Sequence, residues 1–247
     1  MKIVFFFTVI IVFLSTLPNR IYSQIEVDLE SGLVKSGYND VRIPGDKGTL
    51  FSFSEELKSD NEFFYRIRLN YKFLERHNLS VLYAPLKITA KGTFNKDVIF
   101  TDKTFLSDTE TEGSYKFNSY RLTYRYDLYL GETIEFGLGV TGKIRDAEII
   151  LKNNQQEAAN DNVGFVPLIN FKFFLHISNQ FGFLLTGDAL AAPQGRAEDI
   201  LAAFTYSATY KIDIKLGYRI LEGGADNDKV YTFSLFHYAS FGVIFNL

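Results

Sequence analysis

Alternation of apolar and polar residues constrains this chain more than any other feature. From Phe63 to Phe73 the odd positions are Phe63, Tyr65, Ile67, Leu69, Tyr71 and Phe73, and the even ones include Arg66, Arg68, Asn70 and Lys72. From Tyr120 to Leu130 the even positions are Tyr, Leu, Tyr, Tyr, Leu and Leu, against Arg121, Thr123, Arg125 and Asp127. The same pattern recurs through Ile134–Ile144, Val163–Leu175 and Ile212–Ile220. A period of two is the period of a β-strand, whose successive side chains point to opposite faces. Several of these segments exceed ten residues, twice the usual length of a globular strand. Their polar positions are rich in charge, and their apolar positions are aromatic or branched.

A soluble sandwich and a membrane barrel both alternate, with opposite meanings. In the sandwich the apolar face is the core; in the barrel it faces lipid and the polar face lines the lumen. The length of the strands and the Arg, Lys, Glu and Gly on their polar side favour the barrel. Composition agrees: 25 Phe and 15 Tyr make the chain 16% aromatic, with mean hydropathy near zero and no late apolar block.

Residues 1–23 read as a secretory signal peptide. Lys2 precedes an apolar run from Ile3 to Leu14, with Ile21-Tyr22-Ser23 before the expected cleavage point. The run is short for a membrane helix. Without Lys2 and Arg20 the mature chain, residues 24–247, carries a net charge of −5. That balance argues against nucleic-acid binding. Absence of Cys excludes a disulfide framework, a thiol nucleophile and a lipidated N-terminal Cys.

The C-terminus reads Phe241-Gly-Val243-Ile-Phe245-Asn-Leu247, apolar at alternate positions to the end. With the signal peptide, this resembles the small outer-membrane β-barrel proteins of Gram-negative bacteria. Their last strand usually closes on Phe and is read by the barrel insertion machinery; here Leu247 is last. The resemblance implies an all-β, antiparallel, up-and-down barrel in the outer membrane, in contact with its lipid and lipopolysaccharide. Porin-like passage of solutes is one role known in that class.

Short and long connections alternate, giving ten expected strands: 25–35, 63–73, 79–93, 114–130, 132–151, 163–177, 181–190, 200–210, 212–222 and 230–247. Long external loops are then expected at 36–62, 95–113, 152–162, 191–199 and 223–229, and both termini in the periplasm. Gly48–Ser54 alternates weakly, so an extra hairpin would give twelve strands, and loss of a weak pair eight. Pro85 and Pro167 fall inside strands and each should mark a bulge or a rim.

By parity the lumen receives ten bases (Arg66, Arg68, Lys72, Arg121, Arg125, Lys143, Arg145, Lys172, Lys215, Arg219) and seven acids (Glu26, Asp28, Glu30, Asp127, Glu135, Asp188, Asp213). Charges in a narrow bore must be paired. The expected network therefore joins Arg121, Arg125 and Asp127 to Glu135, Lys143 and Arg145 on the next strand and plugs the lumen. The long loops are acidic. This favours a non-catalytic barrel with a structural, surface-interaction or small-solute role, needing no cofactor and no metal.

Two alternatives stand beside it. His176-Ile177-Ser178-Asn179 resembles the His-x-Ser-Asn motif of outer-membrane lipid A deacylases. That resemblance implies His176 as general base and Ser178 as nucleophile, oriented by a downstream Glu that the sequence does not place at the family's spacing. The other alternative is a lateral passage for small hydrophobic molecules where Pro85 disturbs the wall. The Gly187–Asp199 segment, with Arg196 and Glu198, reads as an external loop.

Overall fold

The structure, a computed structural model, describes residues 24–193 and 195–247; the expected signal peptide lies outside them. The elements are β1 (Gln24–Arg42), β2 (Phe51–Ser52), β3 (Glu62–Phe73), β4 (His77–Ala84), β5 (Lys87–Thr93), β6 (Val98–Phe100), β7 (Lys103–Phe105), β8 (Glu110–Leu130), β9 (Ile134–Lys152), β10 (Glu157–His176), β11 (Phe181–Ala192), β12 (Gly195–Thr209), β13 (Ile212–Asp226) and β14 (Tyr231–Asn246). Neighbours in sequence pair antiparallel around a ring, and β14 closes on β1 from Glu26↔Asn246 to Arg42↔Tyr231. With β4 and β5 sharing one place in the wall, the barrel has ten strands. Closure removes the edges that an open sheet would leave unpaired.

The expected strand positions match closely at the periplasmic end. They fall short at the external end. β8, β9 and β10 run for 21, 19 and 20 residues, where about 9–11 suffice to cross a bilayer. Three expected long loops are therefore short connections, at 153–156, between Ala192 and Gly195, and at 227–230. Gly187–Asp199, expected as a loop, is the β11–β12 hairpin. The remaining long connections are 43–61 and 94–109. The twelve-strand alternative fails, because within Gly48–Ser54 only Phe51 and Ser52 pair, with Val41 and Asp40 of β1.

Pro85 does more than bulge its strand. It separates β4, which pairs with β3, from β5, which pairs with β8 alone. The chain at 58–59 fills the vacated side of β5 through the Ser59↔Ala90 bridge and Lys91 N–H donating to the Lys58 carbonyl. Pro167 lies two residues beyond the last β10–β11 pair, Ile169↔Ala189, where β10 keeps β9 alone as its neighbour.

The outward positions form an apolar belt that includes Ile67, Leu69, Leu122, Tyr124, Val140, Ile169, Phe204, Leu216 and Phe241, all exposed. The interior is layered. At the external end Phe51, Phe53, Leu57, Phe94, Val98, Phe100 and Phe105, all from the two long connections, pack on inward residues Val34, Phe64, Ile88, Tyr115, Leu151 and Phe236. The rings meet mostly edge to face, as in Phe51–Phe94 and Phe51–Phe100 at 5.5 and 5.9 Å. Burial of each such side chain contributes about 1.5–3 kcal/mol. This apolar stopper was not among the sequence expectations.

Leu122 is half exposed at the middle of the belt. Leu122→Arg is expected to cost about 2–4 kcal/mol and to reduce the heat-modifiable folded fraction on electrophoresis, while Leu122→Ile leaves it unchanged. Equal folding of both variants would refute lipid contact at this face.

Candidate functional site

Below the apolar stopper the inward residues turn ionic. Asp199 on β12 is the hub. Its carboxylate accepts Arg66 Nη2 at 2.8 Å and also binds Arg121 and Arg219. Arg121 Nη1 donates to Asp188 at 2.7 Å, and Asp188 also accepts from the Thr141 hydroxyl at 2.7 Å and the Asn170 amide at 2.8 Å. Arg219 donates twice to Glu30, each at 2.8 Å. Lys215 reaches Asp28 at 2.7 Å and Glu30 at 3.2 Å. Arg66, Arg121, Arg219 and Lys215 thus face Asp28, Glu30, Asp188 and Asp199, which balances the charge of the layer.

Arg66 and Arg121 reach their carboxylates across the bore, Arg219 and Lys215 theirs one or two strands along the wall, and the expected pairing of Arg121, Arg125 and Asp127 with Glu135, Lys143 and Arg145 does not form among the described residues. Register explains why. Arg121 lies directly opposite Lys143, and Asp188 directly opposite Asp199. At these positions like charges are neighbours, so Arg121 reaches Asp188 and Asp199, and Asp199 takes Arg66, on distant strands; elsewhere Glu30 lies opposite Arg66 and Asp28 opposite Arg68. Lys143 instead sets its ammonium 4.7 Å from the Phe117 ring centroid, in cation–π contact. Arg125 bonds Asp127 on its own strand at 3.3 Å. Arg145 lies at the external rim and donates to Asn162 at 2.6 Å, in a side cleft of about 210 Å³. Asp199 was counted among the loop acids, because the strand was expected to start at residue 200. Its signal was available: Asp199, Leu201, Ala203 and Thr205 share one parity, and all are buried.

Beneath the ionic layer a vestibule of about 440 Å³ faces the periplasmic end. Near it, inward Gly137 and Gly139 on β9 let β8 approach closely. A Cβ at Gly137 would stand 2.8 Å from Asp127 Oδ1, and one at Gly139 would stand 2.1 Å from the Tyr124 carbonyl. Arg68 and Arg125 reach into it from β3 and β8, and Lys172 from β10. Arg68 donates to Ser80 at 3.2 Å and has no carboxylate within ion-pair distance among the described residues.

His176 and Ser178 stand at the mouth of the vestibule. His176 Nε2 lies 3.1 Å from Glu135 Oε1, and Glu135 also binds Lys172 at 3.2 Å. A carboxylate partner for His176 therefore exists, upstream on the neighbouring strand rather than downstream. Ser178 Oγ accepts the N–H groups of Gln180 at 3.3 Å and Phe181 at 3.1 Å. That is the hydrogen bonding of a turn-forming serine, and among the described residues no hydrogen bond joins it to His176. Among the described residues no three His, Cys, Asp or Glu side chains converge to hold a metal ion.

A closed antiparallel ring with an apolar outer belt and a polar, partly charged interior defines an outer-membrane β-barrel protein of bacteria. No protein-family model and no curated sequence matches the chain. Among solved structures it is similar to the outer membrane protease OmpT from Escherichia coli, at 9% identity and a TM-score of 0.59, covering 91% of this chain and 97% of that one. The attachment invasion locus protein Ail of Yersinia pestis matches at 10% identity and a TM-score of 0.40, covering 90% of this chain and 99% of that one. Neisserial surface protein A matches at 13% identity and 0.35, covering 91% and 97%. These likenesses concern the fold.

Asp199→Asn leaves three buried arginines short of a counter-charge and is expected to destabilise the barrel by about 3–5 kcal/mol. The shift should appear as a lower urea midpoint in detergent micelles. Adding Arg66→Met should recover part of the loss, since it removes one stranded cation. Strict additivity of the two changes would contradict the shared hub.

Proposed function

We propose that this protein is a sealed outer-membrane barrel with no through-going water path, whose folded external half serves as a rigid interaction surface. The observation that carries this reading is the apolar stopper, in which Phe51, Phe53, Phe94, Phe100 and Phe105 are almost fully buried. The ionic layer beneath it is a second closure in series. External acids such as Asp46, Glu55 and Glu56 meet water or, through divalent cations, anionic lipopolysaccharide. The C-terminal strand, with Phe241, Val243 and Phe245, is the segment offered to the insertion machinery.

The lateral passage draws little support. The cavity at Pro85, lined also by Phe64, Leu86 and Phe117, measures about 10 Å³, room for roughly one water. The hydrolase reading rests on the His176–Glu135 contact alone, since Ser178 is engaged as a turn cap. Purified protein is expected to release no fatty acid from lipid A in micelles.

Planar-bilayer recording tests the seal. The native protein is expected to show no steady conductance. Replacing 95–108 by a short Gly-Ser turn takes Val98, Phe100 and Phe105 out of the stopper and should leave conductance low. Combining that replacement with Phe51→Ala, Phe53→Ala, Arg66→Ala and Arg121→Ala weakens both closures and should raise it. A large, stable, ion-selective conductance of the native protein would overturn the proposal and make the barrel a porin.

A further inference from the structure

We infer that the periplasm-facing vestibule is a binding site for a small organic anion bearing hydroxyl or amino donors, held chiefly by Arg68 and Arg125. The inference goes beyond the sealed-barrel reading and needs only the cavity, not the seal. Three observations carry it. The first is space: about 440 Å³, open at the periplasmic end and closed above by the ionic layer, lies within the usual range for small-molecule sites.

The second is a mixed lining: among the described residues two guanidinium groups, Arg68 and Arg125, keep nitrogens free of carboxylates, while Glu26 and Asp213 have no cation within ion-pair distance. Every arginine of the ionic layer has a carboxylate partner. Arg68 has Ser80 instead, although Asp28 lies directly opposite it in register. Asp28 Oδ2 instead accepts from Lys215, which lies past β14 on β13. Arg125 engages Asp127 through Nε alone, which leaves its terminal nitrogens without a carboxylate among the described residues. Between these two strands lies β4, whose Ser80 and Asn78 pair in register with Asn70 and Lys72 on one side and with Thr123 and Arg125 on the other. A guanidinium fork recognises a carboxylate or phosphate through two parallel hydrogen bonds. Arg68, Arg125 and the Asn78 amide all line the cavity on this side and offer donors to such an anionic group.

The third observation selects what the rest of the ligand carries. Asn170 Oδ1 and Asp28 Oδ1 are buried acceptors without a partner, and both residues line the vestibule. Asn170 is 2% exposed, with its amide nitrogen committed to Asp188 and the Gly187 carbonyl. A buried acceptor left unpaired is costly. A ligand with hydroxyl or amino groups beside its anionic end would donate to these oxygens. The class is therefore a phosphorylated or acidic polyol or an amino-acid-like anion, and neither a neutral hydrocarbon nor a bare cation.

Isothermal titration of the full barrel in detergent tests this with glucose 6-phosphate, inorganic phosphate and glucose. Glucose 6-phosphate is expected to bind, phosphate to bind more weakly and glucose not to bind. Arg68→Gln should weaken glucose 6-phosphate by about tenfold or more, the loss of one charge-assisted contact. Arg145→Gln, at the opposite end of the barrel, should leave it unchanged. On unmutated protein, phenylglyoxal modification of Arg68, followed by mass spectrometry, should slow when glucose 6-phosphate is present. Binding of neither anion, equal affinity for glucose, or an unprotected Arg68 would each overturn the inference. A conducting barrel that still binds glucose 6-phosphate would overturn the seal and leave the site standing.

Discussion

Three arginines from three strands converge on the single carboxylate of Asp199, and the interior is organised around that contact. Arg66 comes from β3 and Arg121 from β8, so their contacts span the bore, while Arg219 comes from the adjacent strand β13. Such pairs are weak evidence of net stability, because desolvating each ion costs several kcal/mol. Their stronger consequence is register. A one-residue slip of β12 would turn Asp199 to lipid and Ile200 to the lumen, taking a partner from three cations at once and leaving Arg66 with none among the described residues. The hub penalises every neighbouring register and leaves one arrangement.

Above and below the hub, the inward positions form a gradient along each strand. On β3 they read Lys72, Asn70, Arg68, Arg66 and then Phe64. On β13 they read Asp213, Lys215, Gly217, Arg219 and then Leu221, and on β14 Asn246, Ile244, Gly242, Ser240, Tyr238 and Phe236. Polar and charged residues thus occupy the periplasmic half of the bore and give way to apolar ones at the external end. Water enters the first region and is excluded from the second by packing against 43–61 and 94–109. In the sealed-barrel reading we propose, the barrel is a cup, open at the periplasmic end and closed toward the outside.

Much of this was legible in the sequence, and the misses share one cause. Strand number, parity and the lipid face followed from alternation at positions such as Tyr65, Ile67, Leu69, Tyr120 and Leu122. Strand ends were lost externally, where the alternation inverts. On β9 the outward residues change from Val140 and Ile144 to Asp146 and Glu148, while the inward ones change from Lys143 to Ile149 and Leu151. A search for continuous alternation of one phase stops at that crossing, and the backbone ladder does not. Asp199 was lost for the same reason, close to the short external end of β12. Pairing across the bore was beyond a one-dimensional reading, because it depends on which strands face each other in a closed ring. The Glu135–His176 contact was missed because the partner was sought downstream, whereas β9 supplies it from upstream.

The inversion also sets the depth of the protein in the bilayer. Where apolar residues point outward the surrounding solvent must be lipid; where they point inward it must be water, because the same wall cannot bury both faces at once. On β8 the crossing falls between Tyr120, exposed on the outer face, and Tyr115, buried in the core. The outward residues beyond it are Asn118, Lys116, Ser114 and Glu112, with Lys116 paired to Asp146 at 3.2 Å and Lys91 paired to Glu112. Such exposed pairs contribute little stability, but they mark a surface built for water. One continuous set of strands therefore carries two proteins in series: a membrane barrel with an ionic centre, and a water-exposed barrel with an apolar core. Sliding the chain outward would expose Leu69 and Leu122 to water, and sliding it inward would place Lys116 and Glu112 in hydrocarbon. Both displacements are opposed, which fixes the stopper above the lipid and the vestibule within it.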